Sequence, residues 1–273
     1  MEESLEKRYS WIGFRYIFTD YTVKSSGRYL KDAKKFVEFN SRGKYLVDYK
    51  MVNVRVPFKH EDYKEAIHWV KDIYPIEDYD MNIHFCKPKR SMTGGGTVRT
   101  ASSKVNCRHE VMHSIGLGHS FNNLSGKIIN RDPYDVLQIG KTYGSLNSPH
   151  LLMINWFNKS EFIDIDFDFD YKLNWILSEN QNTLKCLIIG SDEGDYFLSL
   201  VDKQSKNKYL ALHKRFGNRG KLTLLIGTWK LAGLEEFFYG GLHFKVFNFD
   251  GESCRVIVNE IAICEDCKSD NDL

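Results

Sequence analysis

The stretch Cys107-Arg-His-Glu-Val-Met-His-Ser-Ile-Gly-Leu-Gly-His-Ser120 holds the residues best suited to chemistry. His109 and His113 are four apart, so on a helix they leave one face one turn apart and can offer ring nitrogens to a single ion. Glu110 follows the first histidine directly. That offset sets its carboxylate beside such an ion rather than on it, where it can accept a proton from a bound water. Gly116 suits a helix end, because glycine tolerates the left-handed backbone that reverses a chain. His119 can then swing back as a third ligand. Three histidines about 2.0–2.1 Å from Zn²⁺ leave a fourth position for water, the arrangement of a catalytic rather than a structural site. The expected site is therefore His109, His113 and His119 as metal ligands, Glu110 as general base, and Zn²⁺ as the cofactor.

The pattern His109-Glu110-x-x-His113-x-x-Gly116-x-x-His119 resembles the extended zinc signature of the metzincin metallopeptidases. Its ending, Gly116-Leu-Gly-His119-Ser120, is similar to that of matrixins and of the gametolysin (autolysin) family. Asp132-Pro-Tyr-Asp-Val-Leu137, Leu146-Asn-Ser-Pro-His150 and Asn155-Trp156 resemble the gametolysin type. In layout the likeness spans Trp11 to Trp156; it is sharp from His109 to His119. It implies a zinc-dependent endopeptidase that hydrolyses peptide bonds of a protein or peptide substrate, with Glu110 as general base. By position, the substrate would lie along an edge strand at Gly96 to Thr100. The family carries a methionine beneath the metal; the aligned position here is Leu137, close to methionine in volume, and Met153 is the other candidate. Tyr134 and Tyr143 are candidate oxyanion donors. Two rival readings stay open: a catalytically inert zinc-binding protein whose β domain attaches to a partner, and a zinc hydrolase acting on something other than protein.

The elements that must position this segment alternate in period. Trp11 to Thr19, Tyr45 to Pro57, Met81 to Phe85 and Thr97 to Thr100 read as strands. Leu30, Ala33, Phe36 and Val37 show helical spacing over Tyr29 to Phe39, as do Tyr63, Ala66, Ile67, Val70 and Ile73 over Glu61 to Tyr74. A third helix is expected from about Ser103 to Ile115. From Glu161 onward helical periodicity nearly vanishes. Strands are expected at Phe162 to Asp170, Thr183 to Ile189, Asp195 to Val201, Lys208 to Lys214, Lys221 to Thr228, Leu242 to Phe249 and Arg255 to Ile263, spaced as in a β-sandwich or jelly roll. The fold class expected is α/β (α+β): a metzincin-like catalytic domain with a mixed sheet and active-site helix at 8–157, an all-β domain at 160–263, and an acidic tail at 264–273. Charge agrees with the division, since residues 1–150 hold 24 Lys and Arg against 17 Asp and Glu, and residues 151–273 hold 14 against 19.

Composition narrows the remaining classes. With 273 residues, 42% hydrophobic and only 5 Pro, the chain is too apolar for a disordered or fibrous protein. A net charge of +2 gives no basic footprint for nucleic acid, so no nucleic-acid partner is expected. No window approaches the about 18 apolar residues of a membrane span. The start, MEESLEKRYS, lacks the basic and apolar regions of a signal peptide, so an intracellular monomer is expected unless a leader has been removed. Six cysteines are too sparse for a disulfide scaffold. Cys107 reads as a small buried helix residue, and Cys264-Glu-Asp-Cys267 as part of the tail. Asp164, Asp166, Asp168 and Asp170 alternate so as to share one strand face, a solvated face rather than a calcium site. Among the other histidines, His150 has the best claim to matter, through the resemblance alone.

Overall fold

The computed structural model describes residues 7–24, 26–86, 91–94, 96–101, 103–129, 132–138, 145–180, 182–191, 194–202, 208–216, 222–231 and 235–261. Tyr143, Cys264, Cys267 and the tail 264–273 lie outside the described residues. The chain is a mixed α/β protein, with three sheets among the described residues. It divides into two compact units. One comprises Met1–Ser120, Asn130–Leu146 and His150–Trp156; the other comprises Phe121–Ile129, Asn147–Pro149 and Phe157–Leu273. The two are thus interleaved in sequence, with a short excursion directly after His119 and Ser120. No helix among the described residues is long and apolar enough to cross a membrane.

The first unit is built on β1 (Lys7–Ile17), β2 (Tyr45–Arg55), β3 (Met81–Phe85), β4 (Met92–Gly94) and β5 (Thr97–Thr100), in the order β2-β1-β3-β5-β4. The first three strands and β5 run parallel; β4 pairs antiparallel with β5. Trp11, Ile12, Phe14 and Tyr16 are all buried, so β1 is covered on both faces, as a central parallel strand must be. Helix α1 (Ser26–Asn40) buries the expected stripe Leu30, Ala33, Phe36 and Val37. It lies so close to the sheet that a Cβ on Gly13 would stand 2.6 Å from Leu30 Cδ2, which is why that position is glycine. Helix α2 (Tyr63–Ile73) buries Ala66, Ile67 and Val70. Helix α3 (Lys104–Ser114) carries His109, Glu110 and His113. The expectation that Thr97–Thr100 forms the sheet edge is corrected: β4 occupies the edge and β5 lies inside it. The cause is a reversal that ends at Gly96, whose φ of +71° suits glycine, and that brings Met92 opposite Arg99.

The second unit is nearly all β. A six-stranded sheet runs β6 (Ser120–Asn122), β12 (Leu222–Lys230), β11 (Lys208–Phe216), β10 (Tyr196–Asp202), β9 (Cys186–Ile189), β7 (Phe162–Asp164). A four-stranded sheet runs β13 (Glu235–Tyr239), β14 (Leu242–Phe247), β15 (Ser253–Glu260), β8 (Asp170–Asn174). One core joins both sheets, from Leu187, Leu198 and Leu212 of the first to Leu173, Phe244 and Val256 of the second. The expected single strand from Phe162 to Asp170 is corrected. It breaks after Asp164, and Asp168 adopts φ 63°, so the four aspartates do not share one face. The break is held by long-range bonds: Asp168 N donates to Val258 O, and Asp166 N donates to the Tyr171 hydroxyl. Alternation alone could not reveal that the strand changes sheet there.

Candidate metal centre

Helix α3 begins where Ser103, in extended conformation, accepts a hydrogen bond from Asn106 N at 3.1 Å, as an N-cap serine does. It ends at Ile115, where Gly116 turns left-handed with φ +107°. Gly116 N donates to His113 O at 3.0 Å and Leu117 N to Met112 O at 3.3 Å, the paired bonds of a Schellman stop. The reversal returns the chain over the helix end, so His119 can approach. Arg108 clamps the helix laterally with two bonds to Asp32 of α1, at 2.6 and 2.9 Å, while its guanidinium lies 4.8 Å from the centre of the Phe36 ring. Cys107, Val111 and Met112 are buried beneath. Burial pushes the Cys107 thiol far up, which keeps it protonated and inert.

His109, His113 and His119 converge. One ligand atom from each lies within 4.8 Å of the other two, the single such cluster among the described residues. His109 Nδ1 stands 3.0 Å from Val136 O, and His113 Nδ1 stands 2.8 Å from Leu117 O. A carbonyl can only accept, so both Nδ1 atoms carry the proton and both Nε2 atoms present lone pairs. Those two Nε2 atoms face each other at 2.9 Å. Lone pairs in that relation repel unless a positive centre lies beside them. Burial, followed by the charge of His113, holds His109 down to about 4, and burial also lowers His113 and His119. The cluster is thus neutral imidazole, the form that ligates a metal. The donor set, three imidazoles of which His109 and His113 have their outer nitrogens already fixed, fits a borderline-soft divalent ion.

Glu110 is 7% exposed, and burial raises its carboxyl to about 7. It sits one residue from His109 on the same helix, so a cation held by the three rings would draw it toward the ionised form. The loop behind His109 is braced at several points. Asp132 accepts from Ser120 Oγ at 2.6 Å and from Tyr134 N at 2.9 Å. Asp135 accepts from Leu137 N at 2.7 Å and meets His150 Nδ1 at 2.8 Å; neither the Asp135 nor the His150 side chain is exposed. Val136 N donates to Ser145 O at 2.8 Å. Val136 O is thereby fixed where His109 needs it.

Sequence reasoning missed Asp132 and Asp135 as supports, although the acidic pair flanking Pro133-Tyr134 was a visible signal. Tyr134 is buried at 3% exposure. Leu137 is fully buried and its carbonyl accepts from Ser120 N, next to His119, at 3.2 Å. Met153 stands at the end of α4 (Ser148–Met153) and lines a cavity with Tyr9, Trp11 and Ile115. Compared with known proteins, the chain matches no family model and no curated protein.

Proposed function

We propose that the chain is a zinc-dependent endopeptidase of the metzincin type, most similar to the gametolysin family, with its β-rich second unit a sandwich or jelly-roll appendage. The observation that carries the reading is the pair of facing Nε2 atoms of His109 and His113, with His119 completing the group and Glu110 buried alongside. His109, His113 and His119 would hold the ion. When bound, zinc supplies Lewis acidity, making water acidic enough to attack at neutral pH and polarising a substrate carbonyl. Glu110 takes the proton from the attacking water and returns it to the leaving amine. The Asp135–His150 pair and the Val136 carbonyl hold His109 in the tautomer that keeps Nε2 free. The sheet edge at β4, which among the described residues pairs with β5 alone, offers backbone groups to an extended peptide.

The test is cleavage of casein by the full chain, with zinc and with phenanthroline. Chelator-sensitive cleavage that Glu110→Gln abolishes supports the reading. Bound zinc without any chelator-sensitive cleavage overturns it, in favour of an inert zinc protein whose β domain attaches to a partner.

A further inference from the structure

Arg99 holds a buried Nε that meets no acceptor among the described residues. It stands on β5 in register with His84 of β3, which is in register with Phe14 of β1, so the three residues share a sheet face. Trp11 and Met81, three residues earlier on their strands, take the other face and line a cavity with Ser114 of the histidine helix. The Arg99 face is therefore the one turned away from α3. There Arg99 meets Lys64, Ile67, His68 and Lys71 of α2 around a cavity of about 70 Å³. The three polar residues of α2 are spaced to form one stripe of the helix.

No carboxylate among the described residues lines this cavity. Among the described residues none of Lys64, Lys71 and Arg99 has an ion-pair partner. His84, on the same face, is fully buried; its Nδ1 and the Tyr16 hydroxyl share a hydrogen bond at 2.7 Å, and its Nε2 has no partner among the described residues. The two nitrogens of an imidazole diverge, so that Nε2 points away from Tyr16. Lys71 and Arg99 both lie close enough to reinforce the effect of burial in holding His84 neutral. Like charges gathered without a counter-charge repel, and a buried donor without an acceptor is rare in folded proteins. A single bound anion answers both: it offers negative charge to the cations and acceptor oxygens to the guanidinium.

We propose that the cavity between α2 and β5, lined by Lys64, His68, Lys71 and Arg99, is a binding site for a small oxyanion of the phosphate type. At about 70 Å³ the cavity suits one small tetrahedral oxyanion rather than a whole buried nucleotide. Lys64 and His68 are exposed at its mouth, so the oxyanion is either free or the terminal group of a molecule that stays in solvent.

The experiment titrates inorganic phosphate into the full chain at constant ionic strength, following the Arg99 side-chain Nε–H signal by NMR together with the thermal midpoint. The result expected is a saturable shift of that signal and a rise in midpoint, both retained in His113→Ala. Affinity should fall roughly tenfold or more in Arg99→Gln and in the half-buried variant Lys71→Gln, each of which removes a charged hydrogen-bond donor. A matched titration with acetate separates the sources: weaker binding than phosphate assigns the site to phosphoryl groups. No saturable shift beyond that of chloride, equal or tighter binding of acetate, or binding unchanged in both variants overturns the proposal.

Discussion

Asp135 and His150 meet at 2.8 Å with neither side chain exposed, one residue before the carbonyl that fixes His109. The pair lies outside the histidine cluster, and Asp135 is joined directly along the backbone to Val136, whose carbonyl meets His109 Nδ1. Asp135→Ala is expected to lower zinc affinity by about 10- to 100-fold, the usual effect of losing a support behind a metal ligand. Competition against a fluorescent chelator measures it. An affinity equal to that of the unmodified chain would show the brace to be irrelevant to the metal.

Glu110→Gln is expected to reduce turnover by about 10²- to 10⁴-fold while leaving zinc content unchanged. The pH dependence has a definite sign. Burial holds the Glu110 carboxyl at about 7, and only its ionised form accepts a proton. A neighbouring cation lowers that value. The acid limb of kcat/KM should therefore fall below pH 7, with activity lost as pH drops, and should disappear in the glutamine variant's residual rate.

His84 supplies a stability prediction free of the metal. Burial holds it down to about 3, whereas an unfolded histidine titrates near 6.5. Between those values the unfolded chain binds a proton that the folded chain refuses. The stabilising contribution is thus complete above pH 6.5 and is lost as pH falls, by up to about 1.4 kcal/mol per pH unit. Urea unfolding at pH 7 and pH 5 in the presence of chelator should show a shallower pH slope for His84→Phe than for the unmodified chain. An identical slope in both would contradict the assignment.

In the second unit, Lys185 and Glu161 form a fully buried ion pair at 2.5 Å. Lys185 Nζ also donates to Ser178 O at 2.8 Å, and the other Glu161 oxygen accepts from Asn158 N at 2.7 Å. Lys185→Met strands a buried carboxylate and should cost about 3–5 kcal/mol in chemical unfolding. Adding Glu161→Gln should recover part of that loss. Recovery is the informative arm, because it separates a stranded charge from a packing defect.

The histidine site was legible because its geometry is local. His109, Glu110 and His113 need only one helix, and Gly116 announced the turn that returns His119. Its supports were not, since Asp135 reaches His150 across 15 residues and Val136 reaches His109 across 27. Apolar periodicity gave α1 and α2 their buried faces. It could not place β4 at the sheet edge, reveal β13, or foresee the break at Asp168, because strand partners are chosen by distant segments. The excursion Phe121–Ile129, paired through Asn123 N to Leu225 O, has the same origin.

The most direct measurement of the central claim is the zinc content of the purified full chain, by elemental analysis after exchange into metal-free buffer. The account predicts one equivalent per chain, reduced to a small fraction in His113→Ala. A chain devoid of zinc after zinc loading, or a content unchanged in His113→Ala, would contradict it.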